Sequence, residues 1–122
     1  MPSSIWKPLS AFIVPSLIEE TIWRGLLLPS PIVSSSLSTS TSTVVLWSTA
    51  CIVLTIHVLS HPIMATLMTT TFGSVRGQRV FVDSRFLVLT TIVLGGSTIS
   101  YIVSGGSVWC ATFTHGVAVI ME

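Results

Sequence analysis

Ser16-Leu17-Ile18-Glu19-Glu20-Thr21-Ile22-Trp23-Arg24-Gly25-Leu26-Leu27-Leu28 is the stretch that decides how the rest of the chain is read. Two adjacent acids and one base interrupt an apolar segment that runs from about Leu9 to Leu28. Pro29 and Pro31 close the segment, because proline has no amide hydrogen to donate and disfavours helix in the residue before it. Pro15 is placed to kink it. Glu20 and Arg24 are four apart and share one helix face, so a charge-assisted pair between them is natural. Glu19 is rotated about 100° from Glu20 on a helix and is left for another partner.

The whole chain shares the apolar character of this segment. Of 122 residues, 50% are hydrophobic and 7% are charged, with five Lys/Arg against four Asp/Glu. Soluble domains carry about 25% charged residues. The mean hydropathy is +0.90. Such a composition excludes intrinsic disorder, which needs low hydrophobicity and high charge. It also argues against a nucleic-acid partner, since the net charge is +1 and no basic stripe is present. The expected class is an all-α, polytopic membrane bundle of about four transmembrane helices, each needing about 20 apolar residues. Residues 1–122 are expected to form a single membrane domain, a truncated or minimal core. The N-terminus does not read as a signal peptide, since Glu19, Glu20 and Arg24 follow in the apolar stretch.

Moving outward, nine of the ten residues from Ser34 to Thr43 are Ser or Thr and are expected to form a polar loop. The second apolar segment begins near Thr43 or Val44 and passes Trp47, Cys51 and His57 to His61-Pro62. It reaches Phe72 if Pro62 does not stop it. Gly73 to Arg85 is a charged loop holding Arg76, Arg79, Asp83 and Arg85. The third segment, Phe86 to Val103, carries Gly95-Gly96, a pair suited to close helix packing. Ser104-Gly105-Gly106 makes a tight turn, and the fourth segment, Ser107 to Met121, contains His115. Cys51 and Cys110 both fall in apolar runs and are expected to be buried, inert thiols. With four spans, Lys7 and the arginine loop share one side. The positive-inside rule then places both termini in the cytoplasm, or in the stroma of a plastid.

Ionisable groups within apolar spans are costly and mark functional sites by default. Here they are Glu19, Glu20, Arg24, His57, His61 and His115, drawn from three segments. Helical rise gives their depth. Glu19 lies roughly 15 Å and His61 roughly 16 Å from the same face, and His115 roughly 18 Å from it in a core of about 30 Å. The agreement at mid-depth requires the second helix to continue through Pro62. A carboxylate without a local counter-ion, placed beside imidazoles, suits a general base acting on water. A further imidazole could donate to a developing oxyanion. His57 and His61 also have the i, i+4 spacing of a zinc helix, but Val58 stands where such a motif has Glu. No cofactor and no metal is expected; a zinc site of two His and one carboxylate, using Glu19 or His115, stays open as the alternative.

Glu19-Glu20-x-x-x-Arg24 resembles the EExxxR motif of the CPBP family, the CAAX-protease and bacteriocin-processing (Abi-domain) membrane proteins. His61 would end the family's second motif, FxxxH, and His115 would begin its third, HxxxN or HxxxD. His61-Pro62-Ile63-Met64-Ala65, Asp83-Ser84-Arg85-Phe86-Leu87 and Gly106-Ser107-Val108-Trp109 also look like a bacterial and plastid-type branch. The resemblance implies a glutamic-type intramembrane endopeptidase. Glu19 would activate water with help from His61, His115 would stabilise the oxyanion, and Glu20, Arg24 and His57 would be supporting residues. The partners implied are membrane lipid and a peptide or prenylated-protein substrate. Two positions depart from the pattern: His57 replaces Phe, and Val119 replaces Asn or Asp. Losing one oxyanion donor typically costs about 10²–10³ in rate. The alternative is therefore a catalytically impaired member acting as a membrane immunity or scaffold protein.

Overall fold

The computed structural model describes residues 10, 12–32, 39–72 and 79–120. Among the described residues there are helices and no strands. Helix α1 covers residues 12–26. It winds as π-helix at Phe12–Leu17 and Thr21–Leu26, with one α-helical turn, Ile18–Glu20, between them. The wide winding at Pro15 shifts the backbone ladder instead of ending the helix, and π-turns of this kind recur at functional sites. Helix α2 is Thr39–Phe72, α3 is Ser84–Val103 and α4 is Val108–Ile120.

Helix α2 continues through Pro62. Proline removes the backbone donor that would serve the Val58 carbonyl one turn back. The His57 carbonyl accepts from Ser60 Oγ at 2.6 Å and from His61 Nδ1 at 3.0 Å. At 34 residues α2 is roughly 51 Å long, well beyond a ~30 Å hydrocarbon core. It therefore tilts or emerges from the layer.

Several boundaries differ from those the sequence suggests. The Ser/Thr stretch is helical from Thr39 onward, while residues 33–38 lie outside the description. Threonine hydroxyls that bond back into the helix, as Thr55 does to the Cys51 carbonyl at 2.8 Å, make such residues tolerable in a helix. Helix α3 starts at Ser84, not Phe86, because Asp83 caps it by accepting from the Arg85 amide at 2.8 Å. Residues 79–81 form a short helical turn where an open loop is expected. Lys7 and Arg76, on which the orientation rests together with Arg79 and Arg85, lie outside the described residues.

The α3–α4 hairpin closes through Gly105 and Gly106, at φ +74° and +98°. The Gly106 amide donates to the Tyr101 carbonyl at 2.8 Å and the Gly105 amide to that of Ile102 at 3.2 Å. This is a Schellman termination, which needs a left-handed residue. A Cβ on Gly106 would also come within 3.2 Å of Pro31 Cδ, so alanine there would be strained twice over. A Cβ on Gly95 would sit in ordinary contact with Leu54 of α2 at 3.8 Å, and one on Gly96 with Thr114 of α4 at 3.6 Å, so the approach of α3 does not require either glycine. Helix α4 also lies along the first half of α1.

The distribution of side chains is inverted relative to a water-soluble protein. The apolar core is small: Leu28, Ala50, Val53, Tyr101 and Ala111, with Trp23, Ile102 and Val108 against it. Glu20, Arg24, His57, Ser97, Thr112 and His115 are buried instead. Outside stand Ile52, Ile56, Leu59, Val88, Ile92, Val103 and Phe113, all exposed. Cys51 and Cys110 are exposed free thiols too, which corrects the expectation of burial. A large exposed apolar surface around a polar interior fits hydrocarbon as the surrounding medium. Two helical stretches, Thr43–Thr71 and Ser84–Val103, are long and apolar enough to cross a membrane, and most of each is unburied. Helix α4, at 13 residues, spans only about 20 Å. The architecture is an all-α membrane helix bundle, and among the described residues two of its helices are of crossing length.

Candidate active site

Glu19 and Glu20 occupy the α-helical turn between the two π-stretches of α1. Being adjacent, they leave the helix in different directions and meet different neighbours. Glu20 is fully buried. Its Oε1 accepts from Arg24 NH1 at 3.1 Å and from His115 Nδ1 at 2.9 Å. The Glu20–Arg24 pair expected from the spacing therefore exists, and α4 contributes a third member.

Arg24 is 1% exposed and is the hub of the network. Besides Glu20, its NH1 lies 3.0 Å from His57 Nδ1 on α2. Its NH2 donates to the Leu94 carbonyl at 2.8 Å and to Thr98 Oγ1 at 3.2 Å on α3. One guanidinium thus joins three helices, using the fixed fork of donors that distinguishes Arg from Lys. Thr98 can accept from Arg24 because its own hydrogen goes to the Leu94 carbonyl at 2.8 Å. Sequence reading did not find Thr98 or Leu94. Thr98 sits in an apolar segment with other Ser and Thr, and nothing local distinguishes it.

Glu19 faces α2. Its side chain keeps 35% of its exposure, against 0% for Glu20. Its buried Oε2 stands 3.4 Å from His57 Nε2, a contact too long and too poorly aligned to count as a formed hydrogen bond. Donor atoms of Glu19, His57 and His61 all lie within 4.8 Å of one another. Glu19, His61 and His115 line one cavity of about 290 Å³. Its remaining wall is mostly apolar: Val80 and Phe81 of the short turn, Phe86, Leu89 and Val93 of α3, and Ala118 of α4. Phe81 and Phe86 meet edge to face and each places its ring 6.1 Å from that of His61. These two phenylalanines were also missed, since single aromatic residues beside a charged loop carry no spacing signal.

The partners assign the imidazole protons. His61 Nδ1 faces a carbonyl, which only accepts, so it carries hydrogen and Nε2 presents a lone pair. His57 Nδ1 faces a guanidinium, which only donates, so it accepts and Nε2 carries the hydrogen. His115 Nδ1 donates to Glu20, leaving Nε2 basic when the ring is neutral and a donor when it is protonated. Val119 belongs to α4, but its side chain lies outside the described residues.

Glu19, His57 and His61 are also the donors that could hold a metal ion. The fit is poor. A metal-bound imidazole normally donates its other ring N–H to an acceptor. His57 Nδ1 instead receives a hydrogen bond from a cation. Metal at Nε2 would require an imidazolate or the release of Arg24.

Against this geometry stand the comparisons with known proteins. Residues 1–121 match the family described as type II CAAX prenyl endopeptidase Rce1-like. The chain belongs to that family. No curated protein and no solved structure matches it. Membership of the Rce1-like family makes it a CAAX-protease-like membrane protein, and the apolar helices agree with that placement.

Proposed function

We propose that this chain hydrolyses a peptide bond at the membrane without a required metal, and that Glu19, His61 and His115 carry the reaction. The observation that supports the reading is that these side chains, drawn from α1, α2 and α4, line a single cavity of about 290 Å³. A water between the Glu19 carboxylate and the His61 Nε2 lone pair would be held by both. Glu19 takes a proton from it as the oxygen attacks the substrate carbonyl. Protonated His115, anchored on Glu20, donates from Nε2 to the oxyanion that forms. Collapse of the tetrahedral species breaks the C–N bond, and the proton held by Glu19 passes to the leaving amine. Glu20 and Arg24 hold the framework. The substrate class is a peptide, or a prenylated protein, presented from the bilayer to the apolar wall around Phe81 and Phe86. Residues 1–122 act as one domain that crosses the membrane more than once, with both termini on the side of the arginine loop.

The test is cleavage of a prenylated CAAX peptide and of a generic membrane peptide by purified protein in detergent or liposomes. Wild type should cleave and Glu19→Gln should not, with equal thermal stability. Equal cleavage by both proteins would remove Glu19 from the mechanism. Val119, in the place of a polar residue in the third motif, favours a second reading in which the chain is an impaired member acting through helix contacts. That reading is supported if wild type is inactive and Val119→Asn restores cleavage.

A further inference from the structure

His57 does not line the cavity; it lies behind Glu19, 1% exposed, between that carboxylate and Arg24. Its ring is clamped. Trp23 stacks on it at 4.4 Å with planes 13° apart, and the His61 ring lies 5.5 Å away, also stacked. Turning the ring over would set Cδ2–H against the Arg24 N–H and Cε1–H toward Glu19, and both contacts would be lost. The charged and titratable groups around it are Glu19, Glu20 and Arg24 from α1, His61 from α2 and His115 from α4. Among the described residues, Arg24 and Glu19 are the charged groups that reach its two nitrogens.

We infer that His57 is a positioning residue for Glu19: Arg24 fixes the hydrogen of His57 on Nε2, and that N–H steers the buried Glu19 oxygen so that the rest of the carboxylate is presented to the cavity. This inference rests on the function proposed for Glu19. Oε2 is the buried oxygen and lacks any other partner among the described residues, while the side chain as a whole stays partly exposed. At 3.4 Å the contact is long, as catalytic hydrogen bonds often are before substrate binds. The order Arg24, His57, Glu19, cavity runs from a permanent cation to a reacting base, each link fixing the orientation of the next. No proton need move along it.

Two readouts decide the matter. The first uses the three histidines as reporters: nitrogen NMR of the full chain in micelles, with ¹⁵N-imidazole labelling and His57 assigned by loss of its signals in His57→Gln. The Nε2–H form of His57, with Nδ1 bare, is expected; a hydrogen on Nδ1 overturns the inference whether or not the protein cleaves anything. The second is kinetic. His57→Phe keeps a ring against Trp23 but deletes the donor, and kcat should fall about 10²-fold, the scale of a misplaced catalytic group, at unchanged KM. His57→Gln, whose amide can donate toward Glu19, should recover most of the loss. Unaltered kcat in His57→Phe overturns the inference. So does equal loss in both variants accompanied by equal loss of thermal stability, which would mark a packing role. Glu19→Gln distinguishes the two failures: if it cleaves normally, the function assigned to Glu19 falls, while the NMR result still decides the geometry.

Discussion

Glu19 and Glu20 are neighbours in the chain and opposites in the fold. Glu20 has no exposed surface and its Oε1 is shared by Arg24 and His115. Glu19 keeps a third of its side-chain surface, lines the cavity, and has its buried oxygen near a donor without a formed bond. The difference shows how an apolar bundle can hold two carboxylates at one depth. One is neutralised by an internal cation and joins helices. The other lines the cavity with its side chain partly open and so remains available for chemistry, whereas the Oε2 left unpaired on Glu20 is sealed away from any substrate.

The contrast can be broken at its ends. The largest effect should come from Glu19→Gln, which removes the base and should lower turnover about 10²–10⁴-fold with an unchanged unfolding midpoint. A parallel loss of stability would show that Glu19 is structural as well. Arg24→Met attacks the other side. It strands Glu20 without its cation, and breaking a buried pair this way costs about 3–5 kcal/mol, so the protein should unfold at much lower temperature or denaturant. A stable, merely slow variant would contradict the structural assignment. His115→Gln tests the residue that belongs to both sides. It should reduce kcat about 10²–10³-fold as an oxyanion donor is lost. A change in stability alone would confine His115 to the Glu20 network. The smallest effect should come from Thr98→Val, which deletes one acceptor of Arg24 and should cost about 1.5–3 kcal/mol, read as a lower midpoint with kcat intact.

Much of this was readable before any coordinates. The apolar segments, the absence of charge in most of them, and the Glu20–Arg24 spacing lead to an all-α membrane bundle with an internal ion pair. The pairing appears because i, i+4 groups share a face even where α1 winds as π-helix. The Gly105-Gly106 turn appears because only glycine enters that backbone region without strain. The misreadings have equally local causes. The Ser/Thr run from Thr39 is helical because its composition sets polarity, not conformation. Cys51 and Cys110 face outward because in hydrocarbon the outside is apolar, and a thiol has no reason to prefer the interior.

From the sequence alone, helical rise and apolar run length predict similar heights for Glu19, His61 and His115, and the structure brings the three side chains to one cavity. The sequence could not determine which imidazole each carboxylate meets, because the rotation of one helix about its axis relative to another is set by packing and by long-range hydrogen bonds. Only the tertiary structure pairs Glu20 with His115, sets His57 between Arg24 and Glu19, and brings the Leu94 carbonyl and Thr98 to the guanidinium. Those pairings join residues as far as 95 positions apart, where no local periodicity acts.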